Sequence, residues 1–524
     1  MTEKNNQRIC FACAWGVFAF FLLVYSLTAQ RGLSWQDSGE FQFRVLSGDY
    51  RWSSGIARAH PLYIAIAQGL SVGTAWLLNL FGANPETVFS GRVYAINFTS
   101  GLGMALALSF IFSCIRRVTG RYAGAWISVT LLGFSQMVWW MSCMAEVYTW
   151  SLASLAVELY CVVRLLETSR PFRWLSILFL VNGMHASIHD FAFLDLAVLA
   201  PFAIWFLLRT RIGLWKGMLP MAVGWCIGAA PLLFLFGEEW RTTGMFWETV
   251  KSLLFGREFE FVVMGTGPIR WGLVLSNFAL AGIGFLNPAW LFAIAPLTRK
   301  KGANEKDRVE GHTFRIVLGC LTVLHLLFWI RYFVPDQATF ILPTAGLLSV
   351  WVGLGVDRLE LSRTRGIQYA LLSFSFAILV PLVLTKALTL HDFGMNRLRQ
   401  LPFRQEVSYW ILPWKHTENS VRRFVQSVAD MRLGSNDIIV ADNTAAAPLQ
   451  AAEAGGRSLC GRIISFQDRI SPDEMKSLLE EIPNGRKAYI VSPVSGYTPC
   501  EEVLLSGRYR FRPEGVLYRI VPGG

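Results

Sequence analysis

Charge is scarce in this sequence. Asp, Glu, Lys and Arg supply only 16% of its 524 residues against 53% hydrophobic, and the mean hydropathy is +0.41, a balance that excludes an ordinary water-soluble protein of this length. Acidic residues are the rarer sign, 36 against 48 basic, for a net charge of +12. In a soluble chain that excess would suggest nucleic acid. Here the Lys and Arg gather in short clusters between apolar runs, so they are topology signals and no nucleic-acid partner is expected. Paired cysteine motifs are nearly missing too: of the nine cysteines only Cys10 and Cys13 stand as Cys-x2-Cys, at the start of the first apolar run and with no second pair, so no zinc ribbon is expected. Only Cys460 and Cys500 lie in polar sequence, where an oxidising compartment would let them pair. There is no internal repeat and no low-complexity tract.

What is present is apolar sequence of membrane-spanning length. The 20 Trp and 38 Phe fit aromatic belts and a helical interior. The first apolar run, from about Phe11 to Ala29, follows Lys4 and Arg8, is too long for a signal-peptide core and has no small-residue cleavage site, so a retained spanning helix is expected. Further runs lie near 61–81, 93–115, 122–143, 147–165, 174–190, 191–208, 217–236, 271–297, 313–330, 338–356 and 367–387. Basic clusters separate them at Arg116-Arg117, Arg164 with Arg170, Arg209 with Arg211, Arg299-Lys300-Lys301 and Arg358 with Arg363. If 61–81 crossed the bilayer, all of these would fall outside; if it lies along the outer interface, all fall inside. The positive-inside rule therefore predicts about eleven crossings, a cytoplasmic N-terminus and an outer C-terminus.

The same parity gathers the unusual polar residues on the outer side. The stretch Trp35-Gln36-Asp37-Ser38-Gly39-Glu40 places two carboxylates three residues apart in a connector, with no packing reason to be there, and it closes on His60-Pro61. Glu146 sits between two apolar runs, where an active-site role competes with helix-end solvation. His185 and His189, with Asp190, have helical spacing; a metal pair is conceivable, hydrogen-bonded helix histidines commoner. Arg331 and Asp336 bracket a turn at Pro335: an Arg that neutralises a phosphate, with the Asp fixing it, competes with a structural turn. The 238–270 loop interleaves Arg241, Lys251, Arg257 and Arg270 with aromatics, which suits a lipid-phosphate headgroup and equally an interfacial anchor. From about Leu390 the texture becomes that of a soluble α/β domain, with a helix over Thr417–Arg432, a second near Pro472–Glu481, and strands at 437–442, 462–466, 487–491 and 515–521.

This architecture permits one chemistry in particular. A sugar on a lipid phosphate already carries its leaving group, so a protein has to neutralise phosphate charge and take a proton from an acceptor hydroxyl. Asp37 or Glu40 could be that base. The ordered motifs Asp37-Ser38-Gly39-Glu40, His60-Pro61-Leu62-Tyr63, Ala145-Glu146-Val147-Tyr148, Gly183 with His189, and Val334-Pro335-Asp336 resemble the GT-C superfamily of polytopic glycosyltransferases, in the branch related to a eukaryotic protein O-mannosyltransferase. The chain departs from that pattern at His60-Pro61, where a second Pro and a Gly are missing.

Apolar runs, parity and texture together predict an all-α polytopic membrane part, residues 1–389, and an extracytoplasmic α/β domain, residues 390–524; the resemblance also implies interfacial helices in the first loop. It implies transfer of a sugar from a polyprenyl-phosphate donor to an extracytoplasmic glycan, lipid or protein hydroxyl; the absence of a sequon in the C-terminal domain and of an ER-retention ending leads to the expectation of a bacterial inner membrane. Asp37 is expected as the base with Glu40 orienting the acceptor. His60, Glu146, Tyr148, His189, Arg257, Arg270, Arg331 and Asp336 are expected to bind substrate. A divalent metal, Mg or Mn, is left open, with Asp37, Glu40 and Glu146 as its ligands. A transporter or flippase of lipid-linked sugars is the alternative; it calls for inverted repeats, which the sequence lacks.

Overall fold

The computed structural model describes residues 3–51, 55–256, 269–297, 305–332, 337–361, 363–391, 401–482, 485–496 and 498–523. The chain opens with α1 (Glu3–Thr28), α2 (Gln36–Ser47), α3 (Pro61–Leu80) and α4 (Pro85–Thr119). Local chemistry sets their ends. Gly48, at φ 75°, stops α2; Asn84 caps α4 by accepting from the Thr87 N–H, with Pro85 next, a combination that satisfies one orphan donor and removes another. The run expected over 122–143 is two pieces, α5 (Tyr122–Gly133) and α6 (Gln136–Ser142), followed by α7 (Tyr148–Glu167), α8 (Pro171–Ala186) and α9 (Phe191–Arg209).

Two further runs are bent. α10 (Leu214–Gly228) meets α11 (Ala230–Thr243) at 72°, with Pro231 as the second residue of α11. After α12 (Phe246–Phe255), α13 (Trp271–Gly284) turns by 106° into a 3-10 stretch over Pro288–Leu297. Proline breaks the hydrogen-bond ladder at each bend. α14 (Glu305–Arg331), α15 (Leu342–Arg358) and α16 (Arg363–His391) complete the apolar part. Among the described residues eight helices are long and apolar enough to cross a membrane, or up to ten if each bent pair is one span. The polytopic helical class holds; of the eleven runs expected to cross, the two bent runs, the broken α5–α6 and the 16-residue α8 are not straight spans. The run expected to lie along the interface is α3; by length and apolarity it counts among the eight. It packs on α4, with Arg92 Nε donating to Ser71 Oγ at 3.2 Å.

The C-terminal part carries α17 (Glu406–Ile411), α18 (Ser420–Asp430), α19 (Asn443–Ala454), α20 (Pro472–Glu480) and a five-stranded sheet. Its strands are β1 (Ile438–Val440), β2 (Arg462–Ile464), β3 (Ala488–Ile490), β4 (Tyr509–Glu514) and β5 (Leu517–Pro522), in the order β2-β1-β3-β5-β4. β1 pairs parallel with β2 and β3, while β5 runs antiparallel between β3 and β4. The helix expected from Thr417 begins at Ser420 after Asn419, and β4, broken in pattern by Arg512-Pro513, was not expected. Cys460 and Cys500 are both free. Cys500 Sγ donates to the Ile470 carbonyl.

The sheet part does not stand apart from the helices. Trp35 Nε1 donates to Ser420 Oγ at 2.8 Å and its ring lies 5.2 Å from that of Phe424. Gly39 lets α2 fold tightly on the connector, since a Cβ there would collide with the Ser34 carbonyl oxygen, and Pro448 packs beside it at ordinary contact distance. A single apolar core runs from α1 through α2 to Leu449 and Tyr489.

Among the membrane helices, α8 and α10 meet along a seam of small residues. A Cβ on Gly224 would lie 2.6 Å from the Ser176 carbonyl, and Gly183 and Gly228 stand closer still to Trp225 O and Leu180 O. Gly183→Val should therefore destabilise the protein by roughly 1–3 kcal/mol or more by overpacking, read as a lowered melting temperature in detergent. An unchanged melting temperature would contradict this close approach.

Candidate functional site

The connector after α1 is held by buried amides. Gln42 Nε2 donates to Asn97 Oδ1 at 2.8 Å and its Oε1 accepts from the Ser34 N–H at 2.8 Å. Asn97 Nδ2 in turn donates to the carbonyls of Gln30 and Gly32 at 2.9 and 3.0 Å, and the Gln30 N–H donates to Cys143 O. These bonds satisfy turn backbone where water is excluded. They fix the start of α2 against α4 and against the 143–147 turn. Asp37 and Glu40 follow, one helical turn apart.

The other acids and rings are brought in from distant segments. Ser38 Oγ donates to Glu146 Oε1 at 2.7 Å, while Ser100 Oγ accepts from the Glu146 N–H at 2.7 Å. His60 precedes Pro61 in left-handed backbone, φ 48° and ψ 47°, a strained state for a residue before proline. Its Nδ1–H donates to Ile188 O at 2.7 Å, and its ring stacks on His189 at 5.5 Å. Gln36 is likewise at positive φ, 58°. Arg44, fully buried, holds the 55–60 turn under α2 by donating to the carbonyls of Arg58, at 3.1 Å, and of Ala59.

These side chains enclose a cavity of about 530 Å³ lined by Asp37, Glu40, His60, Glu146, Tyr148 and His189, with Asp190 beside them. Six residues named from the sequence thus share one space. Asp37 is exposed and Glu40 buried. Burial pushes the Glu40 carboxyl up to about 7, against the pull of Arg58; Asp37 adds to the rise. Of the expected phosphate ligands, Arg331 ends α14 just before Tyr332, which lines the cavity while Arg331 does not. Arg270 is exposed at the start of α13 and does not line it. Arg257 and Asp336 lie outside the described residues.

Other lining groups went unnamed in the sequence reading. Arg58 is the basic one; its signal was its place in the loop that closes on His60. Trp140 and Trp410 stack at 5.5 Å and 18° on the wall, with Trp140 Nε1 donating to Tyr409 O at 2.9 Å. Asn443 and Thr444, from the start of α19, also line the cavity, and no local pattern connects them with residues some 400 positions earlier. His185 and His189 do not act as a pair. His185 turns to Glu158 and Asp195 while His189 faces the cavity, because α8 ends at Ala186. Asp37, Glu40 and Glu146 do not converge as metal ligands: among the described residues the His/Cys/Asp/Glu group that gathers ligand atoms within 4.8 Å is Glu158, His185 and Asp195.

Two solved structures of ArnT from Cupriavidus metallidurans, one bound to undecaprenyl phosphate and one apo, superpose with TM-scores of 0.57 and 0.56, covering 99% of this chain and 98% of theirs. The fold is that of ArnT. Identity is only 13% and 14%, so the likeness is one of architecture alone. Protein O-mannosyl-transferase TMEM260 of Mus musculus is 32% identical over 135 residues, 25% of this chain and 16% of that protein. The match thus spans a minor part of that relative's length. No protein-family model matches the chain.

The Ser38–Glu146 bond ties α2 to the start of α7. Ser38→Ala should cost about 1–3 kcal/mol by withdrawing a donor from a buried carboxylate, measured by thermal unfolding in detergent; Ser38→Thr, which keeps the hydroxyl, should lose less. Equal loss in both variants would show that the hydroxyl bond is not what is being measured.

Proposed function

We propose that this multipass membrane protein is a glycosyltransferase that moves a sugar from a polyprenyl-phosphate donor to an extracytoplasmic hydroxyl of a glycan, lipid or protein. The observation that carries the reading is the cavity itself. An accessible carboxylate, Asp37, and a basic residue, Arg58, share its wall in a chain with the fold of a protein solved with undecaprenyl phosphate. Partial identity to an O-mannosyl-transferase points to the same class of reaction.

Each task then has a residue. Asp37, one turn from Glu40 and open to the cavity, takes the proton from the acceptor hydroxyl. Arg58 faces the lipid phosphate as charge builds on the departing oxygen. Glu40, protonated below about 7, donates a hydrogen bond that orients the acceptor. His60, His189 and Tyr148 bound the sugar on one side, and the Trp140–Trp410 stack offers an apolar face on the other. The basic clusters between helices support a reading with the N-terminus in the cytoplasm and the C-terminal part on the outer side, and the membrane in this reading is a bacterial inner membrane.

The test is transfer from a panel of polyprenyl-phosphate sugars in detergent. Asp37→Asn should lower turnover by about 10²–10⁴-fold, and Arg58→Ala should lower kcat/KM for the lipid donor by roughly tenfold through loss of a charge-assisted contact that strengthens as the phosphate departs. No transfer from any donor, or undiminished transfer by Asp37→Asn, would overturn the assignment.

The pH profile separates the two acids. A carboxyl raised to about 7 loses its proton as pH climbs through that value, so an orienting Glu40 makes kcat/KM fall above pH 7. Glu40→Gln, a permanently neutral donor, should flatten that limb. A rate that instead rises through pH 7 and is abolished in Glu40→Gln would make Glu40 the base.

A further inference from the structure

Behind the cavity wall lies a second polar cluster that glycosyl transfer does not use. Glu158 of α7, His185 of α8 and Asp195 of α9 are all fully buried, and their ligand atoms lie within 4.8 Å of one another. His185 Nδ1 is 3.3 Å from Glu158 Oε1 and 3.1 Å from Asp195 Oδ2. Among the described residues Asp195 Oδ2, which meets His185 only in this ion-pair contact, has no hydrogen-bond partner, nor has Glu158 Oε2. Unpaired carboxylate oxygens in a membrane interior are costly.

We propose that Glu158, His185 and Asp195 form a closed structural site for a divalent cation of the zinc class. Donors about 2.0–2.2 Å from a tetrahedral ion stand about 3.3–3.5 Å from each other, so the His185-to-carboxylate separations are near the edge lengths of that polyhedron. His185 Nδ1, Asp195 Oδ2 and one Glu158 oxygen supply three donors, one from each residue, and the second Glu158 oxygen, at the short bite of a bidentate carboxylate, completes a distorted four-coordinate shell. A neutral His185 with two carboxylates carries the charge that a divalent ion cancels.

The surroundings match those of metal ligands, whose far atoms are held by hydrogen bonds. His185 Nε2 lies 2.7 Å from Ser151 Oγ, which accepts from the tautomer that leaves Nδ1 free to bind. Asp195 Oδ1 accepts from His325 Nε2 at 2.7 Å, and Asn182 Nδ2 donates to Glu158 Oε1 at 3.1 Å. The ion would pin α7, α8 and α9 together, with His325 adding α14. Phe191, whose ring lies 5.5 Å from His325 and 4.1 Å from His189, carries that rigidity to the cavity wall. The competing arrangement pairs protonated histidines with the carboxylates and holds no metal.

The experiment is metal analysis of the full-length protein, purified in detergent from zinc-supplemented cells through a tag free of histidine. About one zinc per chain is expected, with an absorption-edge spectrum showing one imidazole and carboxylate oxygens and no sulfur. His185→Ala, Glu158→Gln and Asp195→Asn should each lower zinc to background, and Asp37→Asn should keep it. Background zinc in the wild type, a first shell of water or sulfur, or zinc retained by the folded variants would overturn the site. The wild-type spectrum decides the matter even if every variant fails to fold, and none of these readouts depends on the transferase reading.

Discussion

The structure depends on satisfying the backbone of one turn. Residues 29–36 leave a spanning helix and double back towards α2 with Gln30, Leu33 and Ser34 buried, where polar groups have to be paired within the protein. Asn97, Gln42 and Gln30 supply the partners. Each of these amides is buried, and an amide buried without a full set of bonds would cost more than an apolar residue in its place. The network therefore admits one arrangement of the turn. Asp37 and Glu40 inherit their positions from it.

A second constraint comes from α2, which is pressed from both sides. The buried Arg44 ties its inner face to the turn that carries Arg58 and His60. Trp35 and Gly39 set its outer face against Ser420, Phe424 and Pro448. The cavity is the space left between these layers, and α19 of the C-terminal part supplies two of its lining residues. The asymmetry between the two acids follows from this packing. Asp37 stays open to the cavity, whereas Glu40, a turn deeper, is dehydrated and its carboxyl rises to about 7. Desolvation thus distinguishes two chemically similar groups.

Much of this was legible in the residues. The polytopic class follows from apolar run length, and the sheet strands follow from short β-branched stretches such as Ile438-Ile439-Val440. Asp37, Glu40, His60, Glu146 and His189 could be named because ionisable groups at membrane-helix ends have no packing role to explain them, and Tyr148 through the motif it shares with Glu146. Arg331 and Arg270 were named on the same grounds and do not line the cavity. A basic residue at a helix end is equally at home in solvent, and sequence carries no sign of the difference. Arg58 was passed over because a single Arg in a polar loop is unexceptional until Arg44 folds that loop beneath α2.

What the sequence determined by itself is whatever depends on neighbours along the chain: helix length, caps, proline bends, and the presence of two carboxylates three residues apart. The tertiary structure alone decided which of those groups meet. Trp410 and Asn443 reach Asp37 across hundreds of residues, and His185 parts from His189 because α8 ends between them. It alone also separated exposed Asp37 from buried Glu40, because dehydration is a property of the space around a side chain, and that space is assembled from segments whose spacing in the chain has no period to read.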